Sequence, residues 1–250
     1  MKYLAFVTLV FCLLYPNTSF GFLNIESLRQ SKNYTEKFKG STQLGVSDAN
    51  GNVNKTILSL SSLNMINLGK SNYIVLGSYN YGKSTGVEDV NDGHLHFRYT
   101  RNLGSGLFLE LFQQTEFDKF QDLNARYLFG AGARQRLFEK TKHALFLGAG
   151  AFYEKEELQD SPNQNNPRGN IYLSYVFSKP DEYSASVVTY YQPNTERLSD
   201  HRVRLNLGIE SYFGENFVQQ WEYSLSRDSA PPAGVQRTDS KVTAQIGITY

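Results

Sequence analysis

The sequence predicts an all-β protein, a single transmembrane antiparallel up-and-down β-barrel of about twelve strands with short turns at one end and longer loops at the other. Three observations carry this prediction. Polar and apolar residues alternate with period two in segment after segment. The connections between those segments are alternately short and long. The chain begins with an export-like apolar run and its last strand-like segment closes on an aromatic residue.

At the N-terminus, Lys2 supplies a positive start, Tyr3 to Tyr15 is an almost unbroken apolar run, and Pro16 breaks it. Ser19 and Gly21 place small residues where signal peptidase needs them, so residues 1–21 read as a signal peptide. The run is too short for a comfortable membrane helix. A lipoprotein would need a small residue before Cys12, where Phe11 stands. Cys12 is the only cysteine, so cleavage leaves neither a disulfide nor a thiolate metal site. A short periplasmic segment, residues 22–34, then leads into a barrel over residues 35–250.

Composition narrows the class further. The 250 residues carry a formal net charge of +1, without the basic field that a nucleic-acid partner would call for. Aromatics reach 14%, with 17 Tyr and 17 Phe, a usage suited to strands and membrane interfaces. The mean hydropathy of −0.44 resembles that of a soluble protein, but a barrel strand shows lipid only every second residue.

The strands follow in order. Lys55 to Leu68 and Tyr73 to Tyr81 have apolar residues on both faces, which leaves their inward side open. His94, His96 and Arg98 alternate with Leu95, Phe97 and Tyr99, and Glu110 lies between Leu109 and Leu111. Leu123 to Leu137 is the clearest case: Leu123, Ala125, Tyr127 and Phe129 alternate with Asn124, Arg126 and Gly130, and the pattern runs on to Arg134 and Arg136. A helix would set Arg126 and Phe129 on neighbouring faces. Ser184 to Tyr191 is again apolar on both faces. Arg202, Arg204, Asn206, Gly208 and Glu210 alternate with Val203, Leu205, Leu207 and Ile209. Glu222 alternates with Trp221 and Tyr223, and Lys241 opens the last such segment. That segment ends in Ile246, Ile248 and Tyr250, resembling the C-terminal signal by which barrels are recognised for assembly.

Short connections fall at 69–72, 103–106, 139–142, 179–181 and 214–216; longer polar ones fall at 48–54, 84–92, 115–122, 159–169, 192–200 and 227–239. A sandwich would not need so regular an alternation. Both termini then lie on the periplasmic side. The expected location is the outer membrane of a Gram-negative bacterium, with lipid, lipopolysaccharide and the barrel assembly machinery as partners and small solutes as candidate cargo.

The stretch Glu116-Phe-Asp-Lys-Phe-Gln-Asp-Leu-Asn-Ala-Arg-Tyr-Leu-Phe-Gly-Ala-Gly-Ala-Arg134 resembles the YdiY-like, salt-induced outer-membrane proteins, a family of unknown function. The likeness covers most of the mature chain in pattern but only this stretch in residues. It implies an outer-membrane barrel and carries over no active site.

Several motifs invite other readings. Gly77 to Ser84 matches the phosphate-loop pattern G-x-x-x-x-G-K-S, but it lies inside an alternating strand and no helix follows to present amides to a phosphate. Asp48 to Asn54 resembles the start of a calcium loop, yet its glycine is misplaced and no glutamate closes it. His94 and His96 share a strand face without an evident third metal ligand. No serine lies two residues after a histidine, as an outer-membrane phospholipase arrangement would want, and Asp200-His201 is the one adjacent acid–histidine pair. The reading is therefore a non-enzyme without cofactor or metal.

The inferred lumen face carries Arg98, Arg126, Arg134, Arg136, Arg202, Arg204 and Lys241 against Glu110, Glu210 and Glu222, a positive lean. Hairpin arithmetic places Glu110 between Arg98 and Arg126 on three adjacent strands. Three functions remain open: a passive channel or small-solute pore favouring anions, a closed structural or stress-related barrel, and an outer-membrane hydrolase.

Overall fold

A computed structural model describes residues 37–49, 54–179, 182–214, 216–231 and 234–250. The expected signal peptide, Cys12 and the segment 22–34 lie outside the described residues. Every regular element described is a strand, and in chain order they are β1 (Phe38–Ala49), β2 (Lys55–Leu68), β3 (Ser71–Ser84), β4 (Val87–Gly104), β5 (Leu107–Asp118), β6 (Leu123–Lys140), β7 (His143–Leu158), β8 (Gln164–Lys179), β9 (Tyr183–Pro193), β10 (His201–Phe213), β11 (Phe217–Asp228) and β12 (Thr238–Thr249). Each pairs antiparallel with its sequence neighbours, and β12 returns to β1, closing a twelve-stranded barrel. Closure matters because an open sheet would leave a row of unpaired amides and carbonyls at each edge.

The alternation in sequence becomes two faces. Even-numbered residues point into the lumen from β3 to β11, where Asn80, His96, Glu110, Arg126, Glu154, Arg168, Ser186, Asn206 and Glu222 are all buried. On β1, β2 and β12 the odd-numbered residues do so, as Gln43, Ser61 and Gln245 show. This settles the segments apolar on both faces: Leu63 and Met65 meet Ile74 and Leu76 in a small apolar cluster inside the barrel, while Ser184, Ser186, Val188 and Tyr190 face inward from β9.

The outer face is apolar around the whole wall, with Leu60, Leu95, Leu109, Phe129, Leu147, Leu173, Leu207 and Ile246 all exposed. A soluble monomer rarely shows a patch above roughly 300–600 Å². Aromatic rings ring the wall near both ends. Tyr73 and Tyr99 (5.1 Å between centroids), His143 and Phe177 (4.9 Å), and Phe38 and Tyr250 (6.1 Å) mark the short-turn end. Tyr79 and Phe117 (6.4 Å) and Tyr191 with His201 (5.8 Å) mark the other. An apolar band between two aromatic girdles is the dress of a membrane barrel.

The loops differ from expectation. The connection expected over 84–92 is a two-residue turn, Thr85-Gly86, because β4 begins at Val87 and absorbs the polar residues through a bulge at Gly82/Lys83. β5 likewise runs to Asp118 and β8 starts at Gln164, so the expected loops at 115–122 and 159–169 shrink to 119–122 and 159–163. The strands are correspondingly long, up to 18 residues in β4 and β6, well beyond the roughly 9–11 that cross a bilayer. The phosphate-loop match lies within β3, as the alternation implied.

Two close approaches require glycine. A Cβ on Gly148 would sit 2.0 Å from the Tyr172 ring, which lies flat against β7 inside the lumen. A Cβ on Gly40 would sit 2.5 Å from the ring of Tyr250, which lies across β1 on the outside. The second approach closes the barrel. The β1–β12 ladder pairs only Ser41–Leu44 with Ile246–Thr249, and Tyr250 extends it through two backbone hydrogen bonds with Gly40 of 2.7 and 3.0 Å. The Tyr250 hydroxyl also donates to Asn64 Oδ1 at 3.2 Å.

Candidate functional site: the charged lumen

Register brings the charges together. Glu116 pairs across with Arg126, Arg126 with Glu156, Leu128 with Glu154, and Glu154 with Asn166, so β5 to β8 present a continuous charged row towards the long-loop end. Arg126 donates to Glu116 at 2.5 Å and to Glu156 at 2.6 Å. Arg168 donates to Glu154 at 2.9 Å and to Asp200, from the β9–β10 loop, at 3.0 Å. Arg202 reaches across the lumen from β10, three strands away: it donates to Glu154, to Glu156 at 2.9 Å, and to Asp228 on β11 at 2.6 Å. Glu154 is 1% exposed and Arg168 2%. Guanidinium suits this task because its planar fork binds several carboxylate oxygens at once. The result is a plug of three arginines and five carboxylates, tied to both sides of the barrel.

A second cluster lies deeper. Arg98 approaches Glu110 at 3.6 Å, and Tyr172, from β8, donates to the same carboxylate at 2.6 Å. His96 bonds Gln114 at 2.9 Å, and Gln114 donates to Glu116 at 2.6 Å, which joins this cluster to the plug. Arg134 stacks over Phe146 at 3.8 Å.

Of the residues expected in the lumen, Arg98, Glu110, Arg126, Arg134, Arg202, Glu210 and Glu222 are buried there. Arg204 and Lys241 are half-buried on the same face. Arg136 lies at the short-turn rim, beyond a bulge at Arg136/Phe138, and its guanidinium pairs with Glu139 with 38% of its side chain exposed. Ile246 and Ile248 face outward beside the seam that Tyr250 closes.

Two expectations need correction. Glu110 does not sit between Arg98 and Arg126. It pairs across with Thr100 and Gly132, while Arg98 faces Phe112 and Arg126 faces Glu116. The expected register is two residues off against β4, where the turn centres on Ser105-Gly106 with a bulge at Asn102/Gly104, and six off against β6, because β5 extends through Asp118 into residues expected as loop. Arg98 still reaches Glu110 diagonally; Arg126 is held by Glu116 and Glu156 instead. The basic excess is not seen either: among the described residues, the buried charged ones comprise nine carboxylates and six cations. Glu116, Glu154, Glu156, Arg168 and Asp200 were missed. Period-two polarity continues through Glu116-Asp118 and Asn166-Arg168-Asn170, and following it into the supposed loops would have found Glu116 and Arg168.

Other motifs resolve locally. His94 Nδ1 lies 2.8 Å from Ser78 Oγ inside the lumen, and among the described residues no group of three or more His, Cys, Asp and Glu is placed to hold a metal. Asp200 turns inward to Arg168 whereas His201 stacks outward on Tyr191, so this pair does not act together. Above the plug, a cavity of about 40 Å³ opens between Gln121, Arg126, Arg204, Ser226, Arg237 and Asp239, room for a few waters. Beside it, Asp122 binds the backbone N–H groups of Gln159 (2.8 Å) and Asp160 (2.6 Å), joining two loops at the rim. The hydrogen bonds of Ser161, Asp160 and Gln159 hold the Asp122 carboxyl below its usual range.

Among solved structures, the barrel resembles the NanC porin (TM-score 0.50, 8% identity, 85% of this chain and 98% of that one). It equally resembles the translocator domain of the autotransporter NalP from Neisseria meningitidis (TM-score 0.50, 11% identity, 85% of this chain and 87% of that one). At such identities these likenesses show the fold alone. No curated protein matches the sequence. Residues 42–250, the whole barrel apart from the start of β1, match a family model, and the chain belongs to the family described as "Protein of unknown function, DUF481".

Proposed function

We propose that the protein is a narrow pore of a Gram-negative outer membrane, exported by its N-terminal segment and constricted by the arginine–carboxylate plug. The outward apolar wall, its two aromatic girdles and the barrel's lack of edges support membrane residence. The finer likeness to YdiY-like, salt-induced proteins belongs to this proposal too. The observation that carries the pore reading is Arg202, which crosses the lumen to Glu154 and Glu156 and so narrows the aperture where a barrel of this size has room to spare. Twelve strands fall between the eight that side chains fill and the sixteen or more of an open porin. With nine buried carboxylates facing six cations, anion preference gives way to passage limited by size.

Planar-bilayer recording tests this. Wild-type protein should show small steps, and Arg202→Ala larger ones. Steps as large as those of an open general porin in the wild type, or silence in both proteins, would overturn the reading. Lipid hydrolysis by the silent protein would favour an enzyme.

A further inference from the structure

The plug is built mainly on β5–β8. The wall opposite, from β9 through β12 to β1, is different in kind. Its inward positions include the small residues Ser186, Gly208 and Ser224, and it lies beneath the mouth cavity lined by Arg204 and Ser226. Three of its side chains hold buried polar atoms without a hydrogen-bond partner: Ser184 Oγ, both amide atoms of Gln220, and Gln43 Oε1. These residues are 2%, 2% and 3% exposed. They lie in one belt. Ser184 pairs with Glu210, Glu210 with Gln220 and Gln220 with Gln245, while Gln43 pairs with Gly247 one step along β12.

Buried polar groups are almost always satisfied, and a row of exceptions calls for a partner that comes and goes. We infer that this wall is the solute path of the lumen and that it takes small uncharged polyhydroxylated solutes on Ser184, Gln220 and Gln43. The inference rests on the pore reading. Its chemistry is that of the amide, which offers a donor and an acceptor together, as a hydroxyl does in return. Beyond Arg202 and Asp228 of the plug, the inward charged groups described on this wall are Lys39, Arg204 and Lys241 against Glu210, Glu222 and Asp239, equal in number, and Tyr212 donates to Glu210 at 2.8 Å, so the path has no net charge to select an ion.

Proteoliposome swelling with glycerol and xylitol, alongside bilayer conductance in potassium chloride, tests it. Gln220→Leu should slow xylitol swelling roughly three- to tenfold, the loss of about one hydrogen bond in the pore. Ser184→Ala should slow it less, and Thr100→Val on the opposite wall should leave it within about twofold of wild type. Each variant is first shown to give the heat-modifiable band of a folded barrel. Unchanged swelling in folded Gln220→Leu and Ser184→Ala overturns the inference while leaving the pore intact. Conductance without polyol entry in the wild type does the same. No swelling and no conductance, in the wild type and in Arg202→Ala alike, overturns the pore reading and the inference with it.

Discussion

Arg202→Ala removes a side chain that ties β10 to β7 across the lumen. Three carboxylates lose a partner: Glu154, Glu156 at 2.9 Å and Asp228 at 2.6 Å. Breaking one partner of a dry buried pair costs about 3–5 kcal/mol, since the remaining charge stays desolvated. Two features pull the value down. Arg202 lines the mouth cavity, so water can reach the vacated site, and Glu154 and Glu156 keep Arg168 and Arg126. A loss of about 2–3 kcal/mol is therefore expected, against under about 1 kcal/mol for removing the exposed Arg136–Glu139 pair. For a chain of this size that corresponds to a fall of roughly 4–12 °C in the temperature at which the folded band is lost on detergent gels. Conductance should rise in the same variant. Arg202→Lys should recover little of either, because an ammonium cannot fork between three carboxylates. If Arg202→Ala changes neither the gel transition nor the conductance, then Arg202 does not span the lumen and the plug is not the constriction.

Deleting Tyr250 should impair assembly, read as less heat-modifiable protein in the outer-membrane fraction; Tyr250→Ala, which keeps the backbone bonds to Gly40, should assemble but unzip more readily, by about 1–2 kcal/mol. Gly148→Val should destabilise the barrel by about 1–3 kcal/mol by driving Tyr172 off the wall, and Gly148→Val with Tyr172→Ala should recover part of it in the same gel assay. The lowered pKa of Asp122 means its contribution is full above the unfolded carboxyl range and is lost as pH falls through the folded value, so the β7–β8 loop should gain protease sensitivity below about pH 4. Asp122→Ala should show that sensitivity at neutral pH; equal cleavage of wild type and variant at both pH values would refute the anchor.

The sequence carried the fold because a barrel writes its two environments in alternate letters. Leu123 to Leu137 could be divided into faces by inspection, and from Ala125 on the inner face is the one observed: Arg126 and Arg134 are buried, Tyr127 and Phe129 exposed, while Leu123, before a bulge, turns inward and Asn124 outward. Lys55 to Leu68 could not, because Leu63 and Met65 pack on Ile74 and Leu76 inside the lumen. An apolar residue can be content on either side of a barrel wall, whereas an arginine can be content only inside. Register was harder still. It depends on where a turn is centred, and polarity does not mark that when strands project beyond the membrane. Glu116, Asp118 and Arg168 look like loop residues for the same reason: they are polar, and the strand around them has no lipid to face on the other side.

That misjudged boundary changes the functional argument, and it does so through pairing. Taken strand by strand, Arg98, Arg126, Arg134, Arg202 and Arg204 make a positive field. With β5 extended to Asp118, Glu116 arrives opposite Arg126; with β8 extended back to Gln164, Arg168 arrives beside Glu154, and the field becomes a set of ion pairs. A field would attract anions from a distance; pairs of this kind attract little, but they set an aperture. On the proposed pore reading, discrimination then falls to the wall from β9 to β1, where the charges balance and Ser184, Gln220 and Gln43 hold polar atoms without a partner. On that proposal the paired charges hold the lumen narrow while Ser184, Gln220 and Gln43 receive a solute, a division of labour that net charge alone does not reveal.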